Sequence, residues 1–214
     1  MKLYTYFRSS AAYRVRIALN LKGLSYDAIP VHLTRTGGEH RQEGYTAINP
    51  AALVPALVDE TRVLTQSMAI IEYLDETHPE PALLPGSALD RARIRAIAQA
   101  IACDIHPINN LRVLQYLGRE LGASEEQKNA WYRHWVELGL QAVEAMLADD
   151  ARTGAFCHGD TPTLADCCLV PQVFNARRFN CRMEAFPTIN RIVDRCEAME
   201  PFRLAAPSNQ ADAE

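Results

Sequence analysis

Two hydroxyls and a cation stand together at Arg8-Ser9-Ser10, where a short strand should hand over to a helix. Residues 2–6 read as the strand. Val15, Ala18 and Leu19 then recur at helical spacing, with Arg14, Arg16 and Asn20 on other faces. Ser9 or Ser10 falls at or just before the helix N-cap. Free backbone N–H groups and the positive end of the helix dipole converge there and favour an anion. A hydroxyl at that point can donate to the same anion. The stretch lacks the fixed glycines of a dinucleotide loop or a P-loop, so a thiolate or carboxylate suits it better than a nucleotide phosphate. The plain alternative is that the serines only cap the helix, for which serine is a preferred residue.

The elements that must position this turn follow from the pattern. Gly23 ends the first helix, with Lys22 suiting its negative end. Residues 26–31 are a second strand, and the polar, glycine-containing residues 34–44 are a loop that carries His40 and Gln42. Residues 53–58 and 62–64 are two short strands joined at Asp59-Glu60-Thr61. Ser67 then caps a helix whose apolar face is Ile70, Ile71 and Leu74. The order β-α-β-loop-β-β-α packs as a small α/β layer.

Residues 78–86 hold three prolines and a glycine, a density that no helix or strand interior tolerates. Past this linker the chain loses its strand pattern. Helices are expected over 90–103, 127–147, 164–179 and 186–199, and Thr163-Leu164-Ala165-Asp166 reads as a capping box before the third. The end of the chain, from Ala205, is polar and alanine-rich and is expected to fray. His106 precedes a proline and has no second histidine at metal-ligand spacing.

Composition narrows the class. The chain has 214 residues, 48% hydrophobic and 22% charged, as in an ordinary globular protein. A net charge of −4 without any Lys/Arg run argues against a nucleic-acid partner. No apolar run is long enough to span a bilayer, and the first residues lack a signal core, so a cytoplasmic location is expected. The six cysteines form no C-x-x-C pair and match no metal signature. None lies in the Arg8-Ser9-Ser10-Ala11-Ala12 turn.

Several separated motifs align with one family. Arg8-Ser9-Ser10-Ala11-Ala12-Tyr13-Arg14-Val15-Arg16-Ile17-Ala18-Leu19 resembles the signature of the zeta-class glutathione transferases. Asn49-Pro50-Ala51-Ala52-Leu53-Val54-Pro55 resembles the Asn-Pro…Val-Pro segment of that class, and Gln66-Ser67 its helix start. Residues 104–114 and 159–166 extend the resemblance over nearly the whole chain. It implies an α+β, thioredoxin-like N-terminal domain (1–80), a linker (81–87) and an all-α domain (88–214), with glutathione as cofactor and a homodimer.

The activity implied is cis–trans isomerisation of maleylacetoacetate to fumarylacetoacetate by reversible thiolate addition. The alternatives are maleylpyruvate as substrate, transfer to α-halo acids, or a glutathione-fold protein that binds without catalysis. By the resemblance Ser9 and Ser10 activate the glutathione thiol, with Ser10 favoured for the hydrogen bond. Val54 and a cis Pro55 meet the cysteinyl backbone, and Gln66 and Ser67 the γ-glutamyl end. His40 and Gln42 are placed near the glycyl carboxylate, and His106 and Asn110 are further glutathione contacts. Arg8, Arg178 and Arg112 are the expected partners of the dicarboxylate. The chain departs from the family at Ala11, where Cys is common, so the sulfur in the reaction should come from glutathione.

Overall fold

The computed structural model describes residues 1–214, which form two units: Met1–Leu83 with Ala198–Glu214, and Leu84–Glu197. In the first, β1 (Lys2–Thr5), α1 (Ser10–Leu21), β2 (Asp27–Pro30), a short α2 (Glu43–Thr46), β3 (Ala56–Asp59), β4 (Arg62–Thr65) and α3 (Ser67–Thr77) follow one another. The strands make one sheet in the order β2-β1-β3-β4, with β1 and β2 parallel and the other pairs antiparallel. Leu3 and Leu57 are opposite each other in the register and fully buried, as are Ile17 of α1 and Ile70 and Leu74 of α3. A second cluster, Tyr6, Phe7, Val31, Tyr45 and Val54, joins the loops that follow β1 and β2 to the segment before β3.

Helix α1 departs from the expected amphipathic pattern. Arg14 and Arg16, placed by spacing on other faces, are 2% and 0% exposed. Arg14 bonds Ser67 at the start of α3. For Arg16 the reason lies further along the chain, where α9 (Glu200–Ala205) packs along α1. Phe202 and Ala205 are buried there, Asn20 Nδ2 donates to the Pro201 carbonyl at 3.0 Å, and Arg16 Nε donates to the Ala205 carbonyl at 3.0 Å. The expected boundary put residues 88–214 in the helical domain and let its end fray. Residues 198–214 instead belong with the first unit, held by donors from α1 and by apolar burial.

The second unit contains α4 (Ala88–Gln99), α5 (Leu111–Arg119), α6 (Glu125–Ala148), α7 (Leu164–Arg178) and α8 (Pro187–Glu197). Helix α4 starts at a Ser87/Asp90 capping box and runs into a π-helical turn, Ala100–Ile105. Gly139 of α6 faces that turn, and a Cβ there would overlap the Ile105 side chain. The Thr163/Asp166 box forms at the start of α7 with Asp166 fully buried. Its carboxylate accepts the Thr163 N–H at 2.7 Å, the Thr163 hydroxyl at 2.8 Å and the Cys157 N–H at 2.9 Å. Asp166→Ala leaves those donors unpaired, with an expected loss of about 3 kcal/mol of stability. Urea unfolding measures it, and a loss under about 1 kcal/mol would refute the assignment.

Candidate active site

Ser9 is the N-cap of α1. Its backbone is extended and its Oγ accepts the Ala12 N–H at 3.2 Å. The hydroxyl proton of a cap that is already accepting is still available for donation. Ser10 is the first helical residue and is buried. The Ala11 N–H has no partner within the chain. The Ser9 hydroxyl and the Ala11 N–H therefore lie at the positive end of α1, with Ser10 next in the turn, an arrangement that suits a thiolate or carboxylate.

Arg8 is exposed beside this turn, over aromatic rings. Its guanidinium carbon is 4.9 Å from the Phe7 ring centroid and 5.9 Å from that of Tyr6, and Nη2 donates to the Tyr6 hydroxyl at 3.1 Å. The planar cation is thus laid on an aromatic ledge. The sequence singles out Arg8 but not the Tyr6 and Phe7 ledge; Tyr6 reads there only as the end of a strand and Phe7 as the residue after it.

The Val54–Pro55 peptide is cis, as the resemblance implied. Val54 is buried in the cluster that also holds Tyr6 and Phe7, so this segment and the Arg8 turn lie in one neighbourhood. The preceding Leu53 carbonyl is held twice, by the Tyr45 hydroxyl and by Asn49 Nδ2, each at 2.6 Å. Burial pushes the Tyr45 hydroxyl up to about 12, so it stays a donor throughout the physiological range. Asn49 also accepts the Ala51 N–H at 3.1 Å. These two anchors were not identified from sequence, although Asn49 opens the quoted motif.

Gln66, not Ser67, is the N-cap of α3, and Ser67 is its first residue. Gln66 is exposed and sits at φ 68°, a left-handed conformation that a non-glycine residue takes uncommonly. The Ser67 Oγ accepts from Arg14 Nη1 at 3.3 Å, which ties the N-terminal half of α1 to the start of α3. The Ala69 N–H is unpartnered in the first turn, a second place where a helix end can hold an anion. His40 is buried with no partner for Nδ1, and burial, followed by the Arg41 charge, holds its basicity below the usual value. Gln42 is exposed and caps α2 through its carbonyl.

The remaining candidates are in the helical unit. His106 follows the π turn and its N–H donates to the Ile101 carbonyl at 2.9 Å. Asn110 is the N-cap of α5, its Oδ1 accepting the Arg112 N–H at 2.9 Å, so a structural role accounts for that oxygen. Arg112 is exposed. Arg177 and Arg178 separate clearly. Arg177 pairs with Glu197 and Asp194 of α8, whereas Arg178 lies 4.6 Å from the Phe179 ring, which itself stacks on Tyr132. Both Arg8 and Arg178 are thus exposed cations laid on aromatic supports.

A family profile described as the glutathione S-transferase N-terminal domain matches residues 8–77. Maleylacetoacetate isomerase of Pseudomonas aeruginosa is 53% identical over 99% of this chain and 98% of its own. Maleylpyruvate isomerase of a Ralstonia species is 50% identical over the full length of both. Among solved structures, a holo maleylpyruvate isomerase described as a bacterial zeta-class glutathione S-transferase superposes with a TM-score of 0.97 at 50% identity, over the whole of both chains. Maleylacetoacetate isomerase of Methylobacterium extorquens AM1, with bound malonate and glutathione, superposes at 0.96 with 39% identity, also over the whole of both chains.

Proposed function

This chain belongs to the zeta class of the glutathione transferases, and we propose that it catalyses the glutathione-dependent cis–trans isomerisation of maleylacetoacetate to fumarylacetoacetate. The observation that carries the proposal is the pairing of a thiolate site with a carboxylate site at one turn. Ser9, Ser10 and the Ala11 N–H converge at the end of α1, and Arg8 sits beside them. The M. extorquens relative binds glutathione together with malonate, a dicarboxylate.

The donors present fit glutathione. Unpaired N–H groups at the starts of α1 and α3 suit its sulfur and its γ-glutamyl carboxylate. The edge before β3 at Val54 suits its backbone, which would pair there as an added strand does. Gln66 and Ser67 are the proposed γ-glutamyl ligands, and His40 and Gln42 the proposed glycyl ones. His106 and Asn110 are proposed as further contacts. Glutathione supplies the nucleophilic thiol that adds to the double bond and leaves after rotation. The chain's part is to keep that thiol ionised, to clamp the substrate carboxylates and to stabilise negative charge that develops on the substrate. Arg8 and Arg178 are the proposed clamps, with Arg112 as a further one, since a guanidinium meets a carboxylate through two parallel hydrogen bonds.

Maleylpyruvate is the second reading, favoured by the full-length identity to the Ralstonia enzyme. The ratio of kcat/KM on the two acids decides between them. Activity on α-halo acids would be a side reaction of the same thiolate. A homodimer, a cytoplasmic location and a place in tyrosine breakdown complete the proposal. Omission of glutathione should abolish turnover, and turnover that persists without it would refute the mechanism. Arg8→Ala should raise KM for the maleyl acid by about 10- to 100-fold while leaving the affinity for glutathione within about twofold. An unchanged KM would remove Arg8 from the carboxylate site.

A further inference from the structure

The last residues of the chain hold the peptide from which Arg8 projects. Asp212 Oδ2 accepts the Phe7 N–H at 3.0 Å, and Arg16 Nη2 donates to the Phe7 carbonyl at 2.9 Å. Both polar groups of Phe7 are therefore fixed from outside the loop. The same Arg16 also bonds the Thr5 hydroxyl at 2.9 Å and the Tyr6 carbonyl at 3.4 Å, and reaches the chain's end at the Ala205 carbonyl. Two residues after Asp212, Glu214 Oε1 accepts from His32 Nε2 at 3.1 Å and from Arg35 Nη2 at 2.8 Å. His32 Nδ1 is occupied as the acceptor of the Thr34 and Arg35 N–H groups, which leaves the proton on Nε2 for Glu214. The His32 ring meets Tyr6 edge-on at 5.0 Å, and Tyr6 meets Phe7 edge-on at 4.8 Å. Asp212 thus holds the backbone of Phe7 directly, and Glu214 holds His32 against Tyr6, the other ring beside the Arg8 guanidinium.

We propose that residues 206–214 act as a strap that sets the position of Arg8, with Asp212 and Glu214 as positioning residues for the carboxylate site. The inference rests on the reading of Arg8 as a substrate ligand. A carboxylate accepting a backbone N–H is a charge-assisted bond, stronger than a bond between neutral groups, and a shift of about 1 Å at a clamp costs up to about 100-fold. Neither carboxylate needs to touch substrate to exert this effect.

Three variants test it: Asp212→Ala, Asp212→Asn and a chain ending at Pro207. Steady-state kinetics on the maleyl acid at saturating glutathione give KM and kcat, and calorimetry gives the glutathione Kd. Asp212→Ala and the truncation should raise KM about 5- to 20-fold with kcat and the glutathione Kd within about twofold. Asp212→Asn should recover most of the loss, because its amide oxygen still accepts the Phe7 N–H. A purely stabilising tail would lower Tm and the active fraction, and so kcat, without moving KM. A KM within twofold of the parent in both Asp212→Ala and the truncation overturns the proposal. Should the parent chain isomerise neither maleyl acid, the proposed function fails on its own. The strap is then read from malonate binding to the glutathione-loaded protein. Weaker malonate binding in Asp212→Ala supports it, and equal binding overturns it.

Discussion

Replacing Ser9 and Ser10 together by alanine should lower kcat at pH 7 by about 100- to 1,000-fold, the range seen when a preorganised donor to a developing anion is removed. The thiol of bound glutathione should ionise at a pH about one to two units higher. The cause is local. The positive end of α1 contributes the Ala11 N–H and the helix dipole, which survive the substitutions, whereas the hydroxyl donors do not. A free thiol has a pKa of about 8.5, so an unassisted site holds only a few per cent of thiolate at neutral pH. The loss should therefore shrink as pH rises past the new pKa, where thiolate forms without help. Absorbance of the bound thiolate against pH, alongside kcat, measures both. Ser9→Ala should cost about 1 kcal/mol of stability in addition, because Ser9 accepts the Ala12 N–H as the cap. The single variants apportion the donated bond between the two serines. A double variant with an unshifted thiol pKa would take the serines out of the chemistry.

The source of the sulfur bears on the same result. Burial pushes the Cys181 thiol up to about 11 and raises Cys157 and Cys196 as well, so these groups stay protonated and weakly nucleophilic near neutrality. Ala11 stands where the family often carries Cys. With no cysteine in the Arg8-Ser9-Ser10-Ala11-Ala12 turn, the proposed thiolate is that of glutathione, and its ionisation is the part assigned to the turn at Ser9.

What could be read from sequence was what is decided locally. The serine cap of α1, the turn at Asp59-Glu60-Thr61 and the Thr163/Asp166 box depend on residues within four positions of one another. Their chemistry is visible in the string itself. The start of α3 was misplaced by one residue, because Gln66 caps it from a left-handed conformation that no propensity anticipates for glutamine. The π turn after α4 reads from sequence as plain helix. Its extra residue is accommodated by Gly139, some thirty positions downstream, and nothing near Ile105 signals it. The burial of Arg14 and Arg16 was the largest departure. A charged residue off the apolar stripe reads as solvated until the elements that cover it are known: Arg16 reaches α9, and Arg14 reaches the start of α3. The arginine ledge has the same character. Tyr6 ends a strand pattern that Phe7 follows, and only the return of Asp212 and Glu214 shows what holds them.

Arg16→Met should be among the most destabilising single changes in the chain, at about 3–5 kcal/mol, a large fraction of the total stability of an ordinary domain. Methionine fills much of the volume but donates nothing. The Thr5 hydroxyl and the carbonyls of Tyr6, Phe7 and Ala205 would then lose their shared donor inside a fully buried site. Burial already pulls the guanidinium down to about 10, the mark of a cation kept in an apolar place by its hydrogen bonds. Arg16→Lys should recover little, since one ammonium cannot present three separate nitrogens to acceptors spread between β1 and α9. Urea unfolding followed by circular dichroism gives the loss, and a change below about 1 kcal/mol would refute this account of the site. The effect should also couple to the strap. With Arg16 gone the Ala205 end is no longer tied to Phe7, so Asp212→Ala should cost less in the Arg16→Met background than alone. A double-mutant cycle with a coupling of about 1 kcal/mol is expected for two residues that grip the same peptide, and strict additivity would show that they act apart.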